Sequence, residues 1–540
     1  KKINVEVSVL EAIEFQNVNI IPSMGKMYRN KKPSDYGIEF NEIYLKDLVY
    51  PFSMVDVGEI FYFRGLKGQT ISVTPFEYNP VLGILKFNSI IDVYIDLEDQ
   101  NIDNNDPRYE QVVITESFEK ILTSLFINYE NMHNEENIES GSLLIISAQN
   151  YIDSMSDFVN WKNMKGIPTT IIDRNSLGPS ALNIREFILQ QYLDDNVSFV
   201  LLVGNENDIP PFYPNNGSIP SDPMYGYLDG DDSFPEVFVG RFLADSVEDV
   251  LIQSDRVIRY ERYLNSTAIG YNKGIGIASG QGEGYGDDGE SDFVHIENIR
   301  QKLIEYGYDE IDQVYDTNTQ NVVSVLDGLN DGRGIINYAG HGIISSWVSS
   351  GFSINEINDL QNVNKYPFIV SVSCLTGAYH SGESMAEAFL QSQYDGAPTG
   401  AIGIVASTGL MQWAPPMRCQ DEFNEIITDS YENNIKRTFG DIFYNSILKM
   451  IESYGQNGEE EALFWHLFGD PSFVVRTDNP QTILADHNES ITIGQNHINI
   501  FTNHNDVYAV LSQNNEIIAA DYSGNGLITL SLEQILNEEE

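Results

Sequence analysis

Between Ser142 and Thr477 the sequence predicts an α/β fold built on a mainly parallel sheet. Three observations carry this. Short apolar runs rich in Ile, Val and Phe, among them SLLIISA, FVLLVG, GIGIAS and PFIVSVSC, each stop at a turn signal, as fully buried strands do. Amphipathic stretches with a helical period lie between them. The texture on either side is different: residues 1 to about 130 and 478–540 read as short alternating strands broken by Gly, Pro and Asn.

In chain order, EFNEIYLKDLVYPFSMV and GQTISVTPFEY read as strands, and SFEKILTSLFINYENM, from Ser117 to Met132, as the first helix. The acidic, polar HNEENIESGS that follows reads as an exposed linker, which sets a boundary near 133–141. DFVNWKNMKG is a helix closed by Gly166, and TTIID a strand. NIREFILQQYL puts Ile184, Phe187, Ile188 and Tyr192 on one helical face. VEDVLIQSDRVIRYERYL, HIENIRQKLIEYGY and VVSVLDGLND continue the helices, with IDQVYD a strand between the last two. The rhythm suggests two α/β halves, about 142–265 and 266–477. Beyond GDPSFVVRT, the stretches NESITIGQNHINIFT, DVYAVLSQ, EIIAADYS and LITLSL predict a small β-sandwich, short of strands for a complete immunoglobulin-like module.

A chain of 540 residues is too long for one core, and two to four domains are expected. Hydrophobic residues make up 42%, which supplies packed interiors. Thirty Lys and Arg stand against 80 Asp and Glu, and a formal charge of −50 argues against nucleic-acid binding through phosphates. It suits a solvated surface, cation binding or attraction of basic peptides. Two cysteines exclude a disulfide scaffold. No apolar run is long enough for a membrane span, and no signal peptide is visible; Lys1 in place of Met reads as a processed or recombinant start.

The chemistry concentrates between Ile335 and Met417. IINYAGHG delivers His341 between two glycines, and YPFIVSVSC delivers Cys374. Two such strands side by side would present both residues at their carboxyl ends, where open α/β sheets bind ligands. An imidazole that shifts a thiol toward thiolate makes it a strong nucleophile, so the pair reads as a cysteine peptidase dyad. Upstream, DGDDSFPE (Asp229 to Glu236) gathers carboxylates and backbone carbonyls in one loop, as calcium requires, without the spacing of an EF-hand.

The stretches VLLVG, SDPMYGYLDGDDSFPEVFVGRF, GESD, NYAGHG, PFIVSVSC, PTGAIGIVAST, WAPPMR, NNIKRTFG and FGDPSFVVRT occur in one order across residues 142–477. In these the chain resembles the gingipain-type cysteine peptidases, peptidase family C25, and in particular their arginine-specific branch. The resemblance implies an α/β caspase-like catalytic domain with a parallel sheet at 142–477. It implies an N-terminal all-β inhibitory propeptide at 1–133, on PFEYNP, a linker at 134–141, and a C-terminal immunoglobulin-like β-sandwich at 478–540.

By the same resemblance Cys374 is the nucleophile and His341 the general base and acid, with the N–H groups of Gly342 and Cys374 holding the oxyanion. An acid commonly orients the histidine after the IAS strand; this chain has Gln281 there, with Glu283 nearby, so either could be the third member. Asp292 would form the base of the S1 pocket and pair bidentately with a substrate arginine, walled by Trp413 and Met417. The lysine-specific branch carries an acid at the position of Trp413. Calcium would be held by the Asp232 and Glu236 side chains and by backbone oxygens of Asp229 and Phe234, with Asn205 replacing a family Asp. Glu387 and Asp421 are candidates for a second ion; no organic cofactor is implied. Cys419 is a bystander.

The expected partners are protein and peptide substrates with arginine at P1, and the chain's own propeptide as inhibitor, with Arg29 or Arg64 as a pseudo-substrate. The expected location is secreted or at the cell surface. The family's basic residue at the propeptide junction is missing from NYENMHNEENIES, leaving Lys120 and Arg108 as the nearest upstream candidates. Two other readings share the sequence: a sorting peptidase that transfers proteins to an anchor, and an adhesin on a dead caspase-like scaffold.

Overall fold

The computed structural model describes residues 3–23, 25–96, 114–129, 141–214, 217–230, 232–262, 267–316, 322–430, 438–492, 494–505, 507–514 and 516–532. The expected linker lies outside them except for Gly141, as do Arg108, Asp231 and the acidic end from residue 533.

In the N-terminal unit β1 (Asn4–Phe15) pairs antiparallel with the long β5 (Ile84–Asp96), which also pairs with β4 (Phe76–Asn79). A separate hairpin joins β2 (Val55–Phe63) to β3 (Leu66–Val73). The stretch EIYL, expected as strand, is a single 3₁₀ turn, Glu42–Leu45. The Asn41 side chain accepts the Ile43 N–H at 3.2 Å, a local bond that competes with strand pairing. Helix α1 (Glu116–Leu125) is shorter than the expected Ser117–Met132 and buries Phe118, Ile121 and Leu122 in the core of the unit that follows.

That unit has one ten-stranded sheet. Its strands are β6 (Ser142–Ser147), β7 (Thr169–Asp173), β8 (Val197–Val203), β9 (Phe238–Phe242), β10 (Lys273–Ala278), β11 (Glu310–Tyr315) and β12 (Ile335–Ala339), then β15, β18 and β19. Two small hairpins, β13 (Gly342–Ile343) with β14 (Ser346–Trp347) and β16 (Gln393–Tyr394) with β17 (Ala397–Pro398), flank β15 (Phe368–Val372); β18 (Gly403–Ser407) and β19 (Trp465–Gly469) follow. The order is β11-β10-β12-β15-β18-β19-β9-β8-β6-β7. Every pair is parallel except β18 with β19. The two expected halves are therefore fused: β19, from the end of the second half, lies between β18 and β9 and closes the sheet across the boundary.

Helices α2 (Ser156–Lys165), α3 (Ala181–Asp195), α4 (Val247–Arg262), α5 (Asp292–Tyr306), α6 (Val322–Asp331), α7 (Ile354–Asn358), α8 (Met385–Gln391), α9 (Pro415–Ile427), α10 (Phe439–Tyr454) and α11 (Gln456–Ala462) cover this sheet or its edge. Gly166 ends α2 at φ 94°, as expected of a left-handed cap. On α3, Ile184, Ile188 and Tyr192 are buried and Phe187 half-buried.

The C-terminal residues form two small sheets, β20 (Ala485–His487) with β21 (His497–Thr502) and β24 (Leu527–Ser531), and β22 (Val507–Gln513) with β23 (Glu516–Ser523). Ile498, Ile528, Leu530 and Leu532 make their shared core. This unit rests on the end of α2: a methyl group built on Gly166 would come within 2.6 Å of Val510 Cγ2.

At one contact the N-terminal unit docks on the main sheet through aromatic stacking and the buried Arg64 guanidinium. Phe61 stacks on Phe234 at 4.1 Å, and the Tyr62 N–H donates to Asp232 at 2.8 Å. Arg64 lies against the rings of Phe118 and Tyr192 at 4.3 and 4.7 Å and donates to the carbonyls of Val197 and Glu236. Arg64 is thus an anchor between the units, remote from the dyad.

Candidate active site

β12 and β15 are parallel neighbours with Ala339 opposite Val372, so His341 and Cys374 each lie two residues past the paired ends. The Gly340 N–H extends the pairing by donating to Val372 O at 3.1 Å. Gly342 is required there: a Cβ would sit 2.4 Å from Cys374 O and 2.9 Å from Ser373 Cβ, so only hydrogen lets the two strand ends approach. Leu375 then turns the chain at φ 65°. Cys374 is not exposed on this turn: only 1% of its surface is accessible. It lies beneath the strand-like segment 411–413, and its Sγ accepts the Met411 N–H at 3.3 Å. Burial pushes the thiol up to about 11, the Met411 N–H opposing it.

Behind the imidazole, Gln281 Oε1 lies 3.1 Å from His341 Nε2, while Glu283 is exposed. The loop that carries Gln281 is tied to Asp292 and packed against Trp413. Gln281 O accepts the Asp292 N–H at 2.9 Å, and the Gln281 N–H donates to Ser279 Oγ at 3.2 Å. Gly282 has φ 90°, and a Cβ on it would press within 2.9 Å of the Trp413 ring.

Residues 27–29 of the N-terminal unit run antiparallel to 411–413. Arg29 N–H donates to Met411 O at 2.7 Å and Trp413 N–H to Met27 O at 2.9 Å, with Tyr28 opposite Gln412. Arg29 is fully buried. Its Nη1 meets Asp292 Oδ1 at 2.6 Å, its Nε donates to Gln412 O at 3.1 Å and its Nη2 to Trp413 O at 2.8 Å. The guanidinium carbon lies 4.7 Å from the centre of the Trp413 ring. Arg29 meets one oxygen of Asp292, and the other accepts from Ser279 Oγ. The remaining guanidinium donors go to backbone carbonyls, which fixes the side chain in a plane. The Arg29 carbonyl meets His341 Nδ1. Met417, in the first turn of α9, is buried against Gly286 of the loop that carries Gln281.

The 229–236 loop holds two buried oxygens, Asp229 Oδ2 and Glu236 Oε1, without a hydrogen-bond partner among the described residues. Glu236 is fully buried; its other oxygen accepts the N–H groups of Leu228 and Asp229. Burial drives its carboxyl well above the usual range, and Asp232 and Asp229 raise it further. Orphaned buried oxygens of this kind fit a hard cation. The Asn205 side chain is committed elsewhere, to Asp245 and to the N–H groups of Asn207 and Asp208. Among the described residues no three His, Cys, Asp or Glu side chains converge on one point. Glu387 and Asp421 are not brought together. Glu387 closes the capping box of α8 with Ser384, and Asp421 lies 3.4 Å from buried His295. Cys419 is buried on α9.

Sequence reasoning missed α11. Glu461 is buried there and accepts the Gln412 N–H at 2.9 Å, holding the segment against which Arg29 pairs. Burial raises its carboxyl to about 7. Nothing in GEEEA distinguishes it from the chain's other acids; only the fold turns it inward.

The model of peptidase family C25 matches residues 137–476, and that of the C25 propeptide residues 1–136. Gingipain R1 of Porphyromonas gingivalis is 34% identical over all of this chain, which spans 54% of that relative's length. The crystal structure of the Arg-specific cysteine proteinase gingipain R superposes with a TM-score of 0.71 at 36% identity, covering 74% of this chain and 93% of that one. The complex of Porphyromonas gingivalis RgpB pro- and mature domains matches with a TM-score of 0.70 at 35% identity, over 73% of this chain and 94% of that one.

Proposed function

The chain belongs to peptidase family C25, and from that premise we propose that it is the zymogen of a cysteine endopeptidase that hydrolyses peptide bonds after arginine. The observation that carries the reading is Arg29: a strand of the chain's own N-terminal unit lies as a substrate would, with its guanidinium on Asp292 and its carbonyl on His341.

In the activated enzyme a substrate strand takes the place of residues 27–29. Cys374 passes its proton to His341 Nδ1, and the thiolate attacks the carbonyl carbon of the arginine. The N–H groups of Gly342 and Cys374 receive the developing oxyanion, an interaction typically worth about 3–4 kcal/mol. His341 protonates the leaving amine; water, deprotonated by the same nitrogen, then releases the acyl group. Gln281 is the third member. Its Oε1 accepts Nε2–H and fixes the tautomer that leaves Nδ1 free to take the thiol proton. An amide does this without the charge that a carboxylate would add.

Latency follows from the same contacts. While the Arg29 carbonyl occupies His341 Nδ1, that nitrogen is not available to the thiol. In the latent chain the thiol is buried and stays protonated. Calcium at the 229–236 loop, held by Glu236 and Asp229, is part of the proposal; bound there it would neutralise the buried carboxylates. So are an immunoglobulin-like identity for the C-terminal strands and a location outside the cell or at its surface. Among the described residues no helix is long and apolar enough to cross a membrane. The deciding assay compares fluorogenic Arg and Lys substrates after limited proteolysis of the full chain. Arginine substrates should be cleaved and lysine ones poorly, with no turnover in Cys374→Ala; turnover in that variant would refute the mechanism.

A further inference from the structure

The inhibitory strand reports more than the first subsite. Counting back from Arg29, Tyr28 stands at the second position, Met27 at the third and Lys26 at the fourth, on a segment held in substrate-like antiparallel pairing. Arg29 and Met27 supply the backbone bonds to 411–413. Beyond them the Lys26 ammonium reaches α11 and forms an ion pair with Glu460. Glu461, next on the same short helix, points the other way and fastens Gln412 from beneath. One helix thus sets the height of the substrate strand with one acid and meets its fourth residue with the next.

We propose that Glu460 forms an acidic subsite selecting a lysine or arginine three residues ahead of the scissile arginine. This rests on the reading of cleavage after arginine, since Arg29 fixes the register. The pair is part-exposed, with 40% of the Lys26 side chain and 32% of the Glu460 side chain accessible, so its effect is modest and depends on salt. The chain's formal charge of −50 attracts any cationic peptide, and a test must separate that field from one carboxylate.

Four fluorogenic tetrapeptides do so: Lys or Glu at the fourth position, Met and Tyr as in residues 27–28, and Arg or Lys at the first. With the full chain activated by limited proteolysis, kcat/KM should favour fourth-position Lys over Glu by about threefold to fivefold at low salt, the scale of an exposed ion pair. Glu460→Gln should bring the ratio close to one, and Glu460→Lys should invert it. Equal rates for the two peptides in the parent enzyme would overturn the subsite. A preference that survives Glu460→Lys would also overturn it and assign the effect to the overall charge. If the fourth-position ratio behaves as stated but Arg and Lys at the first position are cleaved alike, the subsite stands and the arginine reading falls.

Discussion

Arg29 and Asp292 form an ion pair, Nη1 to Oδ1 at 2.6 Å, in which neither side chain retains any solvent exposure. Burying two charges is tolerated only when both are paired and their remaining groups are bonded, and here Ser279, Gln412 and Trp413 complete the set. Breaking such a pair from one side typically costs about 3–5 kcal/mol. Arg29→Ala in the full chain should therefore loosen the inhibitory strand by about two to four orders of magnitude. An arginine-based active-site label should react with Cys374 in this variant while the parent chain resists it. Equal labelling of the two would show that Arg29 does not maintain latency.

Asp292→Asn removes the other partner. The amide keeps the shape and can still accept from Ser279, but offers no charge to a guanidinium. In the activated enzyme, kcat/KM for arginine substrates should fall by at least about 100-fold, the low end of the cost of stranding a buried charge. The fall on lysine substrates should be much smaller, so the Arg-to-Lys ratio collapses. A ratio unchanged from the parent would remove Asp292 from the pocket.

Much of this site was legible in the chain itself, and for a physical reason. His341 and Cys374 each follow a run so apolar that burial as a strand is the only stable outcome, and parallel neighbours bring equivalent positions together. The choice between Arg29 and Arg64 was not legible, because each is one arginine in a polar β-rich segment; only docking sends Arg64 to Phe118 and Tyr192 and Arg29 to Asp292. The Ser279 hydroxyl that bonds the other oxygen of Asp292 is brought near by the strand end of β10 and is invisible as spacing. The fused ten-stranded sheet escaped as well, since β19 reads as one more buried run and its antiparallel entry is a matter of topology.

The thiol gives a test in pH. Burial raises Cys374 to about 11 in the latent chain. A raised thiol is neutral below that value, so at pH 8 only on the order of one molecule in a thousand carries the thiolate, against roughly a quarter for a free cysteine. Alkylation by iodoacetamide should be slow in the zymogen and keep accelerating through pH 10. After removal of the N-terminal unit it should be fast and level off at lower pH. Matching profiles before and after activation would refute the account of the thiol.

Calcium is testable without activity. The Glu236 carboxyl is raised by burial, so in the cation-free chain it favours the neutral form, and the site loses stability as pH rises above the ordinary carboxylate range. A proton and a cation then compete for the same oxygens. Millimolar calcium should raise the melting temperature by a few degrees at pH 8 and by less at pH 5, since a ligand bound only by the folded chain stabilises it. Glu236→Gln should abolish the increment. A calcium effect that persists in that variant would place the ion elsewhere.

Gln281 separates orientation from charge at the histidine. Its Oε1 lies 3.1 Å from Nε2 and does nothing to the reacting carbonyl directly, so its loss acts through His341 alone. Gln281→Ala should lower kcat by about tenfold to a hundredfold with little change in KM, the pattern of a misoriented base rather than a damaged pocket. Gln281→Glu should restore much of kcat and move the alkaline limb of kcat/KM to higher pH, because a carboxylate beside the ring favours the imidazolium. A scaffold role predicts otherwise: both variants would lose thermal stability, and neither would shift the pH profile of the activity that remains. An unshifted alkaline limb in Gln281→Glu would therefore exclude the amide as the third member.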